Sequence, residues 1–282
     1  MAGEERLVRC ETDERVRVIV LERPDRGNAI DDVMKRQLVD ALRHAAEDDE
    51  IRGVLLTAVG ADFSLGQDLE EFSQLNSDTV QTWLAEDRKL RDALRELTKP
   101  IVAAVQGRAK GEGFQMLLFA DLIVASPDAT FQESGINLGI PSINGAGTLW
   151  PVTSRAGLAA MILLAGALSA EDARRAGIVH RVVPAADLRK EAMALAKKLA
   201  GKDPGAVAAD KAWFNKLTMA QYENTGAAAT MTHARVFATG EPQRTMAEVL
   251  RREEGTRRGR AAVGGGDRTK EKEYREGCST CE

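Results

Sequence analysis

The chain is poor in cysteine, histidine and long apolar runs, and each shortage excludes a class of protein. Three cysteines in 282 residues, Cys10, Cys278 and Cys281, are too few for a disulfide framework. Cys278 and Cys281 have the two-residue gap of a metal or redox pair, but they stand without a second pair and read as adventitious thiols. The three histidines, His44, His180 and His233, fall at no metal-ligand spacing with cysteine or carboxylate, so no metal site is expected. No Ser-His-Asp or Cys-His arrangement invites a nucleophilic triad. No apolar run approaches the roughly 20 residues that cross a bilayer, so no membrane partner is expected. An excess of basic residues is also missing: Lys and Arg number 39 against 43 Asp and Glu, a net charge of -4, which offers nucleic acid no general attraction. Met1 to Arg9 is charged and lacks the apolar stretch of a secretory signal, which makes the cytoplasm the expected location.

What is present is an ordinary globular composition, 44% hydrophobic and 29% charged, in a chain long enough to bury a substantial core. Val16 to Leu21 is a β-branched run stopped by Pro24, which reads as a strand and turn. Val33, Met34, Leu38, Ala41, Leu42 and Ala45 recur at helical spacing behind Asp31 or Asp32 as cap. Further strands are expected at Gly53–Val59, Ile101–Val105 and Leu122–Ala125, with a helix over Thr79–Leu97 and a short one over Gly113–Phe119. The strands are apolar almost throughout, as when both sheet faces are covered. Alternation of this kind predicts an α/β fold with mostly parallel pairing. From Thr148 the pattern turns helical, with Ser169 opening a capping box, a short strand over Ile178–Val183, and helices over Leu188–Leu199 and Val207–Val236. The expected organisation is a core domain over 1–200, a helical region over 201–254 and a disordered tail over 255–282.

Four segments, in order, resemble the crotonase (enoyl-CoA hydratase/isomerase) superfamily. Arg23, Pro24, Asn28 and Ala29 are similar to R-P-x-x-x-N-A. Phe63, Ser64, Gly66, Asp68 and Leu69 are similar to F-S-x-G-x-D-L. Lys99 to Gln115 is similar to K-P-x-I-A-A-V-x-G-x-A-x-G-G-G, and Leu168 to Val179 to L-x-A-x-x-A-x-x-x-G-L-V. The resemblance covers roughly residues 16 to 251. It implies a spiral of repeated β-β-α units with a helical C-terminal region that assembles trimers or hexamers. It also implies an acyl-CoA or acyl-carrier thioester as substrate, with coenzyme A as the substrate's carrier and no separate cofactor.

An enolate formed from a thioester needs two donors aimed at its oxygen, and backbone N–H groups suit because they are fixed before reaction. A helix N-terminus adds partial positive charge. By motif position the two donors belong to Gln67 and Glu112, with Gly66 and Gly111 shaping the loops. Glu112 stands where the family has glycine, so its side chain must turn away from the substrate. The resemblance also assigns substrate contacts to Arg26, Asn28, Ala29, Ala61, Phe63, Gly66, Asp68 and Gly111, with Asp68 also bracing its loop. Leu75, Trp83, Phe114, Ile140 and Trp150 are candidate pocket walls, and Ser134, Asn137, Ser142 and Asn144 candidate polar contacts.

Hydratases of this family place two glutamates around one water. The matching positions here are Gln115 and Gly135, so both glutamates are missing and ordinary hydration is disfavoured. Glu133 is the nearest replacement carboxylate; in an extended stretch it shares a face with Gly135 and reaches the pocket. His233 lies on the C-terminal helix, which in this family can approach a pocket. Gly111 to Gln115 is also similar to the matching element of carboxymethylproline synthases, which work through a stabilised enolate. The expected activity is therefore a thioester lyase or isomerase acting through an oxyanion hole. A hydrolase or retro-Claisen enzyme and a silent acyl-CoA-binding subunit are the alternatives.

Overall fold

The computed structural model describes residues 5–149, 151, 153–218 and 220–264. Two sheets form its frame. In chain order the strands are β1 (Val8–Asp13), β2 (Val16–Leu21), β3 (Gly53–Ala58), β4 (Ile101–Val105), β5 (Arg108–Lys110), β6 (Leu122–Ala125), β7 (Thr130–Gln132), β8 (Leu168–Ser169) and β9 (Arg181–Val182). The larger sheet has the order β1-β2-β3-β4-β6-β9, antiparallel at β1–β2 and parallel elsewhere; the smaller has the order β5-β7-β8.

The two sheets repeat one unit. After β4 the chain turns into β5, and after β6 into β7, so each turn adds one strand to each sheet. Shorter pieces extend the small sheet across the earlier turns through single bridges, Ile30 to Gln67 and Ser64 to Ala109. This is the crotonase-type spiral, and it brings the segments around residues 30, 67, 110 and 132 side by side along one edge. Periodicity could not supply it, because β5 and β7 are three residues each and β1 carries too few β-branched residues to read as a strand.

Both faces of the larger sheet are covered, in agreement with its apolar strands. Val16, Val18, Val20, Leu55 and Val102 meet Leu188, Ala192 and Ala196 of α8 (Leu188–Ala200). The opposite face, including Ile19, Leu21, Val54, Leu56 and Ile101, meets α1 (Asp32–Glu47) and α3 (Thr79–Glu96). The remaining helices are α2 (Leu69–Phe72), α4 (Glu112–Leu117), α5 (Ile143–Leu149), α6 (Arg155–Leu163), α7 (Ala170–Arg175), α9 (Pro204–Thr218), α10 (Ala220–Phe237) and α11 (Glu241–Gly264). Asp31 caps α1 by accepting from the Met34 amide at 2.8 Å, and Ser169 caps α7 by accepting from the Asp172 amide at 3.1 Å.

Three expectations need correction. The strand expected over Ile178–Val183 shrinks to β9, because Ile178 and Val179 are buried in a turn against the core instead. The long helix over 207–236 is two, α9 and α10. The tail expected from residue 255 is helical to Gly264, since Arg, Glu and Ala dominate 251–262 and favour helix without needing burial. Cys278, Cys281 and Trp150 lie outside the described residues.

Candidate active site

A cleft of about 810 Å³ opens along the edge where the spiral's turns meet, between α3, α4, the segment after β7, and the helices α10 and α11. Local geometry decides which groups face it. Ile30 donates to the Gly66 carbonyl at 2.8 Å and accepts from the Asp68 amide at 3.0 Å. Those bonds flank Gln67 in a parallel bridge, so the Gln67 N–H points to the other side of the strand. Glu112 is the first residue of α4 and its N–H precedes any intrahelical acceptor. Among the described residues neither amide has a protein acceptor.

The two amides are brought together by a close backbone approach. Gly66 has φ +92°, and a Cβ there would lie 2.7 Å from the Lys110 carbonyl and 3.4 Å from the Glu112 nitrogen. Gly113 has no room for a side chain either, since a Cβ would sit 2.6 Å from that of Ser64. The helix that follows is only six residues long, shorter than predicted, so individual amides rather than a long helix dipole supply the polarity.

Glu112 turns its carboxylate away into the protein. It is 4% exposed, and its Oε2 accepts from Arg91 Nη1 at 2.7 Å. Burial pushes its pKa up to about 8 against the pull of Arg91, so the side chain brings little negative charge to the amide beside it. Arg91 is also buried; burial opposes its charge, but Asp87 and Glu112 outweigh that and hold its pKa above the usual value.

Glu133 reaches the cleft, though by a different route from β alternation. It lies just past β7, and Gly135 opens a 3-10 turn rather than continuing a strand. Glu133 is 2% exposed, with Oε2 accepting from Gln115 Nε2 at 2.8 Å and Oε1 from Ser142 Oγ at 2.9 Å. Burial raises its pKa against those two hydrogen bonds. A Cβ built on Gly135 would lie 3.7 Å from Glu133 Oε1 and 2.8 Å from Ser142 Oγ. The carboxylate of Glu133 therefore stands beside the position from which the missing second glutamate would project, held by the glutamine at the position of the first.

His233, on α10, also lines the cleft. Its Nδ1 lies 2.7 Å from the Ala229 carbonyl, which requires the proton on Nδ1 and leaves Nε2 with a lone pair. Burial lowers its pKa, so it is neutral at pH 7. Nothing in the sequence itself shows that α10 folds back over α3 and α5 to bring His233 there.

The other expected contacts divide. Arg26, Ala29, Gly66, Asp68 and Gly111 line the cleft, with Trp83 and Ile140 in its walls. Asp68 braces its loop as expected: it caps α2 and accepts from Arg23 Nη1 at 2.8 Å. Burial works against its charge, but the hydrogen bond and charge of Arg23 prevail and lower its pKa. Asn28 does not face the cleft. It is fully buried at φ +52°, with Nδ2 donating to the Val59 and Asp62 carbonyls and Oδ1 accepting from the Arg23 amide. It staples the loop, and the expected substrate contact is corrected to that role. Phe63 is buried in the main core and Ala61 is exposed outside the cleft wall, which the intervening Asp62 lines instead. Leu75 and Phe114 belong to apolar clusters rather than to the wall. Of the polar candidates, Ser134, Asn137, Ser142 and Asn144 all line it. No group of three or more His, Cys, Asp or Glu side chains suited to a metal occurs among the described residues.

Comparison with known proteins places this arrangement. The enoyl-CoA hydratase/isomerase family matches residues 11–254. Enoyl-CoA hydratase domain-containing protein 3, mitochondrial, of Rattus norvegicus is 32% identical over 215 residues, 76% of this chain and 72% of that protein. A probable enoyl-CoA hydratase of Rhodobacter capsulatus is 34% identical over 213 residues, 74% of this chain and 80% of that protein. The crystal structure of an enoyl-CoA hydratase from Mycobacterium smegmatis superposes with a TM-score of 0.72 at 33% identity, covering 81% of this chain and 90% of that one. No described helix is long and apolar enough to cross a membrane. With its spiral of paired strands and its match across most of the sequence, the chain belongs to the crotonase, or enoyl-CoA hydratase/isomerase, family of enzymes acting on acyl-CoA.

Proposed function

We propose that the protein is an acyl-CoA lyase or isomerase that stabilises a thioester enolate with the N–H groups of Gln67 and Glu112 and moves protons with Glu133. The observation that carries this reading is a pair of adjacent amides with no protein acceptor among the described residues, facing a cleft that also holds a buried carboxylate. In the forward step a carboxylate oxygen of Glu133 takes the α-proton. The electron pair of that C–H bond passes into the Cα–C bond, and the carbonyl pair moves to oxygen, where the two N–H groups meet it. Gln115 and Ser142 orient the carboxylate. Its raised pKa makes it a stronger base than an exposed glutamate. Arg26, Arg108 and Arg252 around the cleft suit the phosphates of coenzyme A.

His233 favours a second reading. Its Nε2 lone pair can activate water, which would give a hydrolase or retro-Claisen enzyme releasing a free acid. Assembly into a trimer or hexamer is proposed from Trp213, Phe214 and Leu217 on α9 and from Leu163 and Leu164 at the end of α6, all more than half exposed.

The test is α-proton exchange in D₂O across saturated, unsaturated and β-carboxylated acyl-CoAs, read by mass spectrometry. Exchange by the native chain, reduced about 10²- to 10⁴-fold in Glu133→Gln with binding retained, supports the reading. Loss instead in His233→Ala, with a free acid as product, favours the second. Binding without exchange indicates a silent acyl-CoA-binding subunit. Hydration of short enoyl-CoAs at rates usual for such enzymes overturns the proposal.

A further inference from the structure

The side chains of the two oxyanion-hole residues lead to the same helix. Gln67 Nε2 donates to Asp87 Oδ1 at 3.1 Å, and Arg91 Nη1 donates to Glu112 Oε2 at 2.7 Å. Asp87 and Arg91 are one turn apart on α3 and pair with each other through Arg91 Nη2. Gln67, Asp87, Arg91 and Glu112 therefore form one unbroken chain of contacts between the two loops, with α3 as its rigid middle. Both members on α3 are about 2% exposed. Arg91 Nε donates to Tyr222 Oη at 3.3 Å, so each face of the guanidinium is engaged. Lys35 adds a second cation: its Nζ lies 3.8 Å from Asp87 and 4.1 Å above the Trp83 ring. Arg91, Asp87 and Glu112 thus line the cleft beside the amides, with Lys35 against Asp87.

Such a cluster is a poor way to gain stability. Burying ion pairs costs about as much as their attraction returns, and apolar residues of equal volume commonly do better. What a hydrogen-bonded charge network supplies is defined geometry. The side chain at position 112 is itself the departure from the family's glycine, and it is the link by which Arg91 grips that loop. The backbone ladder behind the site, in which Ser64 donates to Arg108 and accepts from Lys110, holds the same two loops at one level only.

We propose that Asp87 and Arg91 are positioning residues that fix the separation of the Gln67 and Glu112 N–H donors by holding the two side chains from α3. The proposal rests on the oxyanion-hole reading above. It accounts for the glutamate at position 112 as the anchor of a clamp, and it assigns α3 a part in polarising the substrate carbonyl without touching it.

The test uses butyryl-CoA labelled with ¹³C at the thioester carbonyl, bound to the full chain, with its C=O stretch read by infrared difference spectroscopy. Two variants each release one loop. Asp87→Leu frees Gln67, leaving Arg91 with Glu112, and Lys35 with Asp32 at 3.4 Å. The double variant Arg91→Met with Glu112→Gln frees the other loop and leaves Lys35 with Asp87. The native chain is expected to lower the carbonyl frequency. Each variant is expected to lose more than half of that shift and about tenfold in α-proton exchange, with butyryl-CoA affinity changed less than about threefold. A shift and an exchange rate at native values in either folded variant overturn the clamp. A native chain that binds butyryl-CoA without any carbonyl shift overturns the oxyanion-hole reading itself and the clamp with it.

Discussion

Replacing Gly66 by alanine tests the site's central geometric requirement. Gly66 has φ +92°, where a side chain costs about 1–2 kcal/mol. The added methyl lies 2.7 Å from the Lys110 carbonyl, against 3.4 Å for the start of ordinary contact, so the two strands must part by about 0.7 Å. Overpacking of this size costs a further 1–3 kcal/mol or so. Together the loss is about 2–5 kcal/mol, or roughly 5–15 °C in Tm for a chain of this length. The amide of Glu112 follows Lys110, so the second N–H donor moves with it. A misplacement near 1 Å costs on the order of 10²-fold, which sets the expected fall in α-proton exchange at about 10- to 100-fold. Gly60→Ala is the control. Its φ is +91° and its methyl meets Pro24 Cβ at 2.7 Å, a comparable strain away from the Glu112 amide. The assay is thermal unfolding beside exchange at saturating acyl-CoA. Both variants should lose stability, and only Gly66→Ala should lose exchange. Equal exchange in the two would refute the argument that this close approach sets the oxyanion hole.

Other outcomes follow from burial and charge. Glu112 has a folded pKa raised from 4.5 to about 8, so between those values the folded state holds more proton than the unfolded one, and this group's contribution to stability is lost as pH rises. Glu112→Gln should flatten that decline relative to the native chain, read as Tm against pH; an unchanged slope would show the carboxyl ionised at ordinary pH. Phe114→Ala opens the core where its ring meets Phe131 at 5.7 Å between centroids, and should cost about 3–5 kcal/mol in denaturant unfolding. A loss below about 1 kcal/mol would mean that the site collapses around the gap.

Much of the fold was readable because long apolar strands and amphipathic helices carry their period in the residues. Val16–Leu21, Ile101–Val105 and the α1 and α3 stripes needed no partner to be recognised. The short strands β5 and β7 were not, since three residues cannot display a period, and they become strands only by pairing across the spiral. The loop positions of Gln67, Glu112 and Gln115 came from motif spacing. Asn28 misled for the same reason: a motif marks a residue without saying whether it touches the ligand or the backbone.

The identity of the family and the absence of both hydratase glutamates were determined by sequence alone, because each depends on which residue occupies which position. Only the tertiary structure decided that Glu133 stands beside the empty place at Gly135, that His233 closes the cleft from α10, and that Arg91 receives the carboxylate of Glu112. Glu133 is held there by Gln115, 18 positions earlier, Arg91 and Glu112 are 21 apart, and His233 comes from a helix that folds back on the core. Their geometry is set by how the spiral's turns stack, and a linear chain records no such distances.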